Sequence, residues 1–354
     1  MKDNLTCGVV GCGVIAPTHA RALQAVGGVD MRWACDLDRA KAEAFAGAFG
    51  VPHTTTDFRA MLADPAVDFV CVCTDHAAHV AVSAAALAAG KDVLCEKALA
   101  ADTAGVQAML AAHDAAPERV FGVVFQHRID PVNQIVKKLV DDGALGQVLT
   151  AGVQLRCLRT DDYYLGDDWR GTWEHEGGAV LINQAIHFID LLIWLMGPAD
   201  SLVGSYANLT HEDSMETEDT AAALLRFPCG AIGNIEATCS SHLQWEGTVS
   251  LHGTEGSLEI RNDRPVKTEF RDGDLQTRVE HDLAECRREA ADAAAGKTYY
   301  GTGHTALIAE FAHAVRERRK PLVTVRSARH TMDVVLGIYR SHANGGWVRL
   351  GEEP

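Results

Sequence analysis

A glycine-rich turn between an apolar strand and an alanine-rich helix is the feature that most constrains the fold of this chain. The sequence GCGVIA at residues 11–16 follows the strand-like run TCGVV and precedes a helical segment that extends to residue 26. Gly11 permits a tight turn, Gly13 lets the backbone approach a pyrophosphate, and Ala16 allows close packing of the helix, whose N-terminus supplies oriented N–H groups. The motif predicts dinucleotide binding, with a tight turn that holds no ligand as the alternative. The expected cofactor contacts in this turn are Gly11, Gly13, Val14 and Ile15.

Asp36, at the end of the second predicted strand, favours NAD as the dinucleotide. It lies about 25 residues after Gly11, where an acid accepts hydrogen bonds from the ribose hydroxyls. A turn without a ligand would leave this placement unexplained. Because an anion repels a 2′-phosphate, NAD is favoured over NADP, although Arg39 is near enough to supply a countercharge and keeps NADP open.

The first 125 residues alternate short apolar runs with helix-like segments. Continuous apolar strands separated by helices of about three turns are typical of a parallel sheet covered on both faces. We therefore predict that residues 1–125 form a doubly wound Rossmann domain. The predicted strands are 6–10, 31–36, 69–74, 92–96 and 120–126, and the predicted helices are 16–26, 39–49, 77–89 and 103–115.

The pattern changes after a helix predicted near residues 131–142. Several strand-like runs are separated by only a few turn residues, which favours hairpins. Residues 126–354 are therefore expected to form an α+β domain on a large, mainly antiparallel open sheet, which binds substrate and supports self-association. A charged, Ala-rich segment at 272–303 is interpreted as a surface excursion or a lid, and the last helix, about 327–342, is expected to pack back on the first domain. The predicted strands are 149–159, 202–210, 220–227, 231–241, 246–252 and 256–261, and a further helix is predicted at 304–318.

Charge and cysteine usage exclude several classes of function. A formal charge of −16 disfavours nucleic acid and anionic membrane surfaces as partners. The sequence has no apolar run of about 18 residues, and the N-terminus reaches the glycine motif before any secretory-length apolar stretch. The ten cysteines include no CxxC pair, which predicts reduced thiols and no metal site. We expect a soluble, cytoplasmic enzyme with a small ligand.

Lys97 follows the fourth apolar strand of the first domain. Open α/β sheets bind ligands at the carboxyl edge of their strands, where this lysine is expected. A partly desolvated lysine there could hold a substrate hydroxyl or carry a proton. The alternative is a loop salt bridge between Glu96 and Lys97, which would contribute little.

Residues 177–197 predict a long helix that is apolar on nearly every side and therefore buried. Its polar residues Asn183, His187 and Asp190 recur at i, i+4 and i+7 and would share one face. A histidine is the natural group to take or return a hydroxyl proton near neutral pH, and Asn183 could bind substrate or orient it. Alternatively, His187 is a core histidine satisfied by Asp190 or a backbone carbonyl.

Taken together, these residues resemble the Gfo/Idh/MocA family of oxidoreductases. The similarity runs through GVVGCGVIA at 8–16, CTDHAAHVAVSAAALAAGKDVLCEKALA at 73–100, WRGTWEHEGGAVLINQAIHFID at 169–190 and RKPLVTVRSARHTMDVVLGIY at 319–339. The resemblance implies that Lys97 and His187 flank the reacting carbon and that the protein is a homodimer or homotetramer. It implies that Arg128 faces the substrate pocket. It further implies a set of residues along the cofactor: Thr74, His79, Glu96, Lys97, Trp169 and Arg170.

Two departures from the family pattern affect the site. The family's usual proline after the lysine is Ala98, and a cis peptide at a non-proline residue costs about 2.5–4 kcal/mol. If relatives use a cis bond, a different placement of Lys97 is expected. The family's aspartate is Asn183, which leaves acid or base chemistry to His187 or Lys97.

These patterns predict hydride transfer between NAD(P) and a secondary alcohol carbon of a sugar, sugar derivative or cyclitol. Lys97, His187 and Asn183 are the expected catalytic residues, and together with Arg128 they are the expected substrate contacts. The asparagine and the WRGTW run look like the branch that acts on sugars, including enzymes that oxidise a ring 3-hydroxyl. The alternatives are a dehydrogenase or reductase of a dihydrodiol or tetrapyrrole, or an NAD-sensing regulator without activity. Further pocket candidates are Tyr163, Tyr164, Tyr299, Tyr300 and His304.

Overall fold

The computed structural model describes residues 4–242, 245–293 and 303–351, which form two compact units. Unit 1 comprises Met1–Gln126 and Thr302–Arg329, and unit 2 comprises His127–Gly301 and His330–Pro354. All residues after 125 were predicted to form one domain, whereas Thr302–Arg329 belong to unit 1.

Unit 1 is built on a six-stranded parallel sheet with the order β3-β2-β1-β4-β5-β6. The strand order reverses between β1 and β4, which is the switch point at which sheets of this kind bind ligands. Every residue of β4 and β5 is buried, as expected for strands covered on both faces. The predicted Rossmann fold is confirmed. Its strands are Leu5–Val10 (β1), Val29–Cys35 (β2), His53–Thr55 (β3), Phe69–Val72 (β4), Asp92–Cys95 (β5) and Phe121–Val123 (β6).

Aspartate residues begin most of the helices that follow these strands. The side chains of Asp38, Asp57, Asp75 and Asp102 each accept a hydrogen bond from a backbone N–H of the first helical turn. The first helix is different, because its N-cap residue, Ile15, makes no side-chain capping bond. The helices are Ala16–Val26 (α1), Arg39–Phe49 (α2), Phe58–Leu62 (α3), His76–Ala88 (α4) and Thr103–Asp114 (α5).

Unit 2 is built on an eight-stranded sheet with the order β13-β12-β11-β7-β10-β9-β8-β14. Strands β7 and β10 pair in parallel, and the other pairs in this sheet are antiparallel. Buried and exposed residues alternate along β9, so one face of the sheet is covered. The predicted, mainly antiparallel sheet is confirmed. Its strands are Val148–Arg156 (β7), Ser201–Ala207 (β8), Thr220–Arg226 (β9), Ile232–Thr238 (β10), Glu246–Gly253 (β11), Gly256–Arg261 (β12), Arg264–Phe270 (β13) and Val348–Arg349 (β14).

The sequence pattern did not define helix α9 (Gly273–Ala293), whereas α10 (Gly303–Glu317) confirms the helix predicted at 304–318. The segment interpreted as a surface excursion or lid contains α9, whose Val279 and Leu283 pack against Val132 and Leu139 of α6. Helix α10 belongs to unit 1, where Phe311 packs edge-on against Phe69 with ring centroids 5.4 Å apart. The helices are Pro131–Asp141 (α6), Asp161–Leu165 (α7), Ile186–Met196 (α8), Gly273–Ala293 (α9), Gly303–Glu317 (α10) and Val325–Asn344 (α11).

The division between the two units falls inside α11, after Arg329. None of the helices within the described ranges combines the length and the apolar character that crossing a membrane requires.

Gly11→Ala is expected to lower the free energy of unfolding by about 2–4 kcal/mol. Gly11 has φ +88°, and a Cβ there would lie 2.5 Å from the carbonyl oxygen of Cys73 and 2.7 Å from the nitrogen of Thr74. Gly13→Ala is the matched control, because a Cβ at Gly13 meets no atom within 4 Å. Urea unfolding of both variants measures the difference, and equal stabilities would contradict the packing argument.

Candidate active site

The turn after β1 is held between the ends of two neighbouring strands. The N–H of Gly11 donates to the carbonyl of Cys35 over 2.8 Å, and its α-carbon lies against Cys73 and Thr74 at the end of β4. The space beside Gly13 is open, and Val14 is 67% exposed. These glycines therefore leave the start of α1 accessible to a ligand at the switch point of the sheet.

Asp36 braces this turn from the end of β2. One carboxylate oxygen accepts from the N–H of Cys12 over 2.8 Å, and the other accepts from the N–H of Asp38 over 2.9 Å. The structure thus brings Asp36 next to the glycine turn. Its predicted contact with ribose hydroxyls stays a prediction.

Lys97 lies just beyond β5, and its peptide bond to Ala98 is cis although Ala98 is not a proline. The backbone on both sides of this bond is fixed. The N–H of Lys97 donates to the Glu96 carboxylate over 3.1 Å, and the Ala98 carbonyl is 2.7 Å from Nδ1 of His79. The lysine that was singled out from the sequence therefore stands on a well-held loop at the carboxyl edge of the sheet.

His79 joins the ends of β4 and β5. Its ring is fully buried, with Nδ1 at the Ala98 carbonyl and Nε2 3.1 Å from the Thr74 carbonyl. Burial lowers the pKa of His79, although both carbonyls act to raise it. A neutral imidazole donates from one nitrogen only, and the shorter contact favours donation to Ala98. The structure shows His79 positioning the lysine loop, while its predicted contact with a cofactor remains a prediction.

Glu96 is a buried carboxylate flanked by two histidines. Its Oε1 lies 2.7 Å from Nε2 of His19 on α1 and 3.9 Å from Nε2 of His304 on α10. Burial tends to raise the pKa of Glu96, but the hydrogen bond from His19 and the charges of His19, His304 and Lys97 lower it to about 2. The charge of Lys97 acts on this carboxylate, so the alternative of a Glu96–Lys97 salt bridge stays open.

His19 is a site residue that the sequence analysis missed. Burial lowers the pKa of His19, but Cys73, Cys71 and Glu96 outweigh burial and raise it well above its usual value. A histidine among the buried, otherwise apolar residues of α1 was the available signal. The predicted pocket residue His304 lies beside Glu96, whereas Tyr299 and Tyr300 fall outside the described residues.

The predicted continuous helix over residues 177–197 is wrong in its first half. Residues Val180–Ala185 form a π-helix, and the α-helix α8 begins only at Ile186. The wider π-helical turn changes the angular spacing around Asn183, while His187 and Asp190, three residues apart in α8, still lie on one face of that helix. Insertions of this kind are frequent at functional sites.

Asp190 forms a buried ion pair with Arg128. It is fully buried and accepts from Nε of Arg128 over 2.8 Å, from the other guanidinium branch over 2.6 Å, and from Thr331 over 2.7 Å. This bidentate pair fixes the segment before α6 to α8. Arg128 was predicted to bind substrate, and that role stays a prediction beside its structural contact.

His187 lies next to a second histidine. The rings of His187 and His127 are 5.1 Å apart between centroids, and Nδ1 of His127 is 2.7 Å from Asp263. Burial lowers the pKa of His127, but Asp263, Asp130 and Asp190 outweigh it and raise the pKa. The contact between His127 and Asp263 was not predicted, because Asp263 is distant in sequence and lies in the turn between β12 and β13.

Trp169 and Arg170 stand together in the loop after α7. The Arg170 guanidinium lies over the rings of Trp169, at 5.1 Å, and Tyr163, at 4.5 Å, and it pairs with Asp167. Tyr163 accepts a hydrogen bond from Gln184, beside Asn183. The predicted contacts of Trp169 and Arg170 with a cofactor are not tested by these distances. Tyr164 is buried, with its hydroxyl 3.2 Å from Sγ of Cys239.

Glu218 holds the start of the helical segment that carries Asn183 and His187. Its carboxylate accepts from the N–H groups of Ala179 and Leu181 and from the hydroxyl of Tyr339, over 2.8–3.1 Å. Burial raises the pKa of Glu218 to about 7, although these hydrogen bonds act to lower it. Within the described part of the chain, no group of His, Cys, Asp and Glu side chains could hold a metal ion.

Two family models match the chain and together span most of it. One, the NAD-binding Rossmann fold of an oxidoreductase family, matches residues 5–123, and the other, the C-terminal alpha/beta domain of that family, matches residues 137–350. The chain belongs to the Gfo/Idh/MocA oxidoreductase family. The family resemblance predicted from the sequence is confirmed.

Individual members of the Gfo/Idh/MocA family are similar over most of their length. Levoglucosan dehydrogenase from Pseudarthrobacter phenanthrenivorans is 28% identical over 297 residues, which cover 74% of this chain and 75% of that protein. Inositol 2-dehydrogenase from Rhizobium meliloti is 28% identical over 278 residues, with coverage of 77% and 80%. The WlbA dehydrogenase from Bordetella pertussis, solved in complex with NADH and UDP-GlcNAcA, has a TM-score of 0.89 and 27% identity, with coverage of 100% and 99%.

Glu218→Gln is expected to remove a pH dependence from the stability of this family member. Burial raises the pKa of Glu218 from 4.5 to about 7, so the folded state retains a proton that the unfolded chain releases first. Stability therefore falls as the pH rises from about 4.5 to about 7, by about 3 kcal/mol from this group. Urea unfolding at about pH 5 and pH 8 measures the change, with the exposed Glu212→Gln as the control. An equal fall in Glu218→Gln and the wild type would show that Glu218 does not titrate in this way.

Proposed function

We propose that this protein is an NAD-dependent dehydrogenase that transfers a hydride between the nicotinamide and a secondary alcohol carbon of a sugar, sugar derivative or cyclitol. The observation that carries the proposal is the carboxyl edge of the six-stranded sheet. There the turn of Gly11 and Gly13, the Asp36 carboxylate and Lys97 follow β1, β2 and β5. The named activities of the levoglucosan and inositol dehydrogenases support the same substrate class.

The chain's own residues fit a dinucleotide at this edge. The N-terminus of α1 has no side-chain cap, so its N–H groups are free of the carboxylates that begin the next four helices. The open space beside Gly13 admits a pyrophosphate close to the backbone. Asp36 supplies an acceptor for ribose hydroxyls and disfavours a 2′-phosphate, which supports NAD over NADP. The bound nicotinamide would supply the hydride acceptor or donor.

The proposed chemistry uses three residues. His187 takes the hydroxyl proton during oxidation and returns it during reduction. Lys97 donates a hydrogen bond to the reacting oxygen and polarises it, which stabilises negative charge as it develops. Asn183 has no group that ionises, so it binds and orients the substrate. The proposed cofactor contacts beyond the glycine turn are Thr74, His79, Glu96, Lys97, Trp169 and Arg170.

Lys97→Ala and His187→Ala are each expected to lower kcat/KM by about 10²- to 10⁴-fold, because each removes a group that handles the hydroxyl proton or oxygen. NADH affinity should change little in His187→Ala, whereas Lys97→Ala also removes a proposed cofactor contact and should weaken NADH binding. Gly13→Ala should show the reverse pattern, with weaker NADH binding and unchanged stability. The measurements are NADH titration and absorbance at the nicotinamide band with monosaccharides, inositols and their keto derivatives.

The exposed Lys320→Ala is the control for these substitutions. Full activity in Lys97→Ala and His187→Ala would show that the catalytic assignment is wrong. Tight NADH binding with no turnover on any polyol would instead favour a dihydrodiol or tetrapyrrole substrate, a narrow modified-sugar specificity, or an NAD-sensing regulator.

Self-association and a cytoplasmic location are part of this proposal. On one face of the sheet, β9 and β10 present Leu224 and Ile232, which are 49% and 58% exposed. We propose that this face of the sheet joins copies of the chain into a homodimer or homotetramer. All ten cysteines are free thiols, which suits a reducing compartment.

Ile232→Glu is expected to shift the protein toward monomers, because a charge would be desolvated in an interface built on this face. Light scattering after size-exclusion chromatography measures the mass. A mass unchanged from the wild-type oligomer would place the interface elsewhere, and a monomeric wild type would exclude self-association.

A further inference from the structure

A buried carboxylate with no role in the proposed chemistry holds Asn183. Glu176 has 0% exposure and lies in the loop that precedes the π-helix. Its Oε2 accepts from the N–H of Gly171 over 2.5 Å, and its Oε1 accepts from the side-chain amide of Asn183. The loop itself is closed by the N–H groups of Glu176 and Gly177, which both donate to the carbonyl of Thr172.

In both of these contacts an N–H group donates a hydrogen bond to the Glu176 carboxylate. A carboxylate can only accept hydrogen bonds, and both groups that reach it donate through N–H. The amide nitrogen of Asn183 must therefore face Glu176, which places the amide oxygen on the opposite branch of the side chain. An aspartate at position 183 has no N–H to offer and would bring a second carboxylate against Glu176.

We propose that Glu176 is a positioning residue that fixes the orientation of the Asn183 amide, so that position 183 presents a carbonyl oxygen to the substrate. An oxygen acceptor selects substrates that carry a hydroxyl donor at or beside the reacting carbon. The proposal rests on the proposed function for the substrate, but the hydrogen bond from the Asn183 amide to Glu176 does not. It also accounts for the asparagine at a position where the family usually has aspartate.

The backbone around Glu176 leaves little room for the pair to rearrange. Gly171 has φ +70°, and a Cβ there would lie 2.3 Å from Cβ of Met215. Gly178 has φ +143°, and a Cβ there would lie 2.0 Å from the hydroxyl of Tyr339. Both ends of the loop are therefore held against neighbouring elements, and the carboxylate is aimed by the fold.

Several charged or titratable groups surround the pair. The Glu176 charge acts on Tyr163 and Tyr164 of α7 and on Tyr339 of α11, and Glu218 faces the same Tyr339. Arg170 lies over Tyr163, and His187 follows Asn183 along the chain at the start of α8. These groups are the same in every variant used below, so a new titration in a variant belongs to positions 176 and 183.

The test is a double-mutant cycle of Glu176→Gln, Asn183→Asp and the two combined. Glu176→Gln turns an amide N–H toward the Asn183 amide and reverses the orientation of that group. Asn183→Asp places two carboxyl groups together. Each single variant should lose about 10- to 100-fold in kcat/KM, mainly through KM. The combined variant restores one donor and one acceptor with their roles exchanged, and should recover about tenfold over the worse single variant.

The pH profile distinguishes positioning from a general loss of structure. In Asn183→Asp the two carboxyl groups must share a proton, so both kcat/KM and the unfolding temperature should fall as the pH rises through a titration absent from the wild type. The combined variant should lack this titration. Glu174→Gln, on the same loop but exposed, is the matched control and should behave as wild type.

Three results would overturn the proposal. They are wild-type activity in Glu176→Gln, additive effects of the two substitutions, and an Asn183→Asp profile without a new titration. The unfolding measurements need no substrate. If the wild type turns over nothing, the proposed function fails while the coupling between positions 176 and 183 is still measured.

Discussion

The carboxyl edge of unit 1 depends on the buried ion pair between Glu96 and His19. A carboxylate removed from water is costly unless donors replace the lost hydration, and breaking such a pair costs about 3–5 kcal/mol. Glu96 meets this requirement with His19 on one oxygen and the N–H of Lys97 on the other. The first helix after the glycine turn and the loop of the proposed catalytic lysine are thereby joined through one side chain, although they are 77 residues apart in sequence.

In unit 2, carboxylates likewise accept hydrogen bonds from the candidate residues or from groups near them. Asp190 holds Arg128, Asp263 holds His127, Glu176 holds Asn183, and Glu218 holds the start of the π-helix. Part of the acidic excess of this chain is therefore internal. Each of these carboxylates accepts several hydrogen bonds, and each fixes a loop or side chain whose direction matters for the site. Removal of one donor would leave a buried charge, so these positions tolerate little change.

Local sequence patterns predicted most of the fold, because the strands and the glycine turn are each specified by residues close together in the sequence. The strands of unit 1 are continuous apolar runs, and the turn of Gly11 and Gly13 carries its meaning within a few residues. Strand β3 and helix α3 were missed because three and five residues are too short to show a period. Helix α9 was obscured because its contacts with α6 use few apolar residues, among them Val279 and Leu283.

The sequence predicted the candidate residues of the site but not the side-chain contacts that hold them. Lys97, Asn183 and His187 stand out by type and position in the sequence. The contacts of His19 with Glu96, of Glu176 with Asn183 and of Asp263 with His127 arise only in the folded chain. The π-helix had no sequence signal of its own, because its apolar residues fit an α-helix equally well. The shared face of Asn183, His187 and Asp190 was therefore inferred from an α-helical period that the chain follows only from Ile186 onward.

The missing cap on α1 sets a limit on how far this fold can be stabilised. Aspartates at the starts of α2 to α5 satisfy their own helix termini, and an aspartate in place of Ile15 would do the same for α1. Its carboxylate would then stand where the phosphate groups of a dinucleotide would bind, with a charge of the same sign. A capped helix start and an accessible anion site thus compete for the same N–H groups, and this chain keeps them accessible.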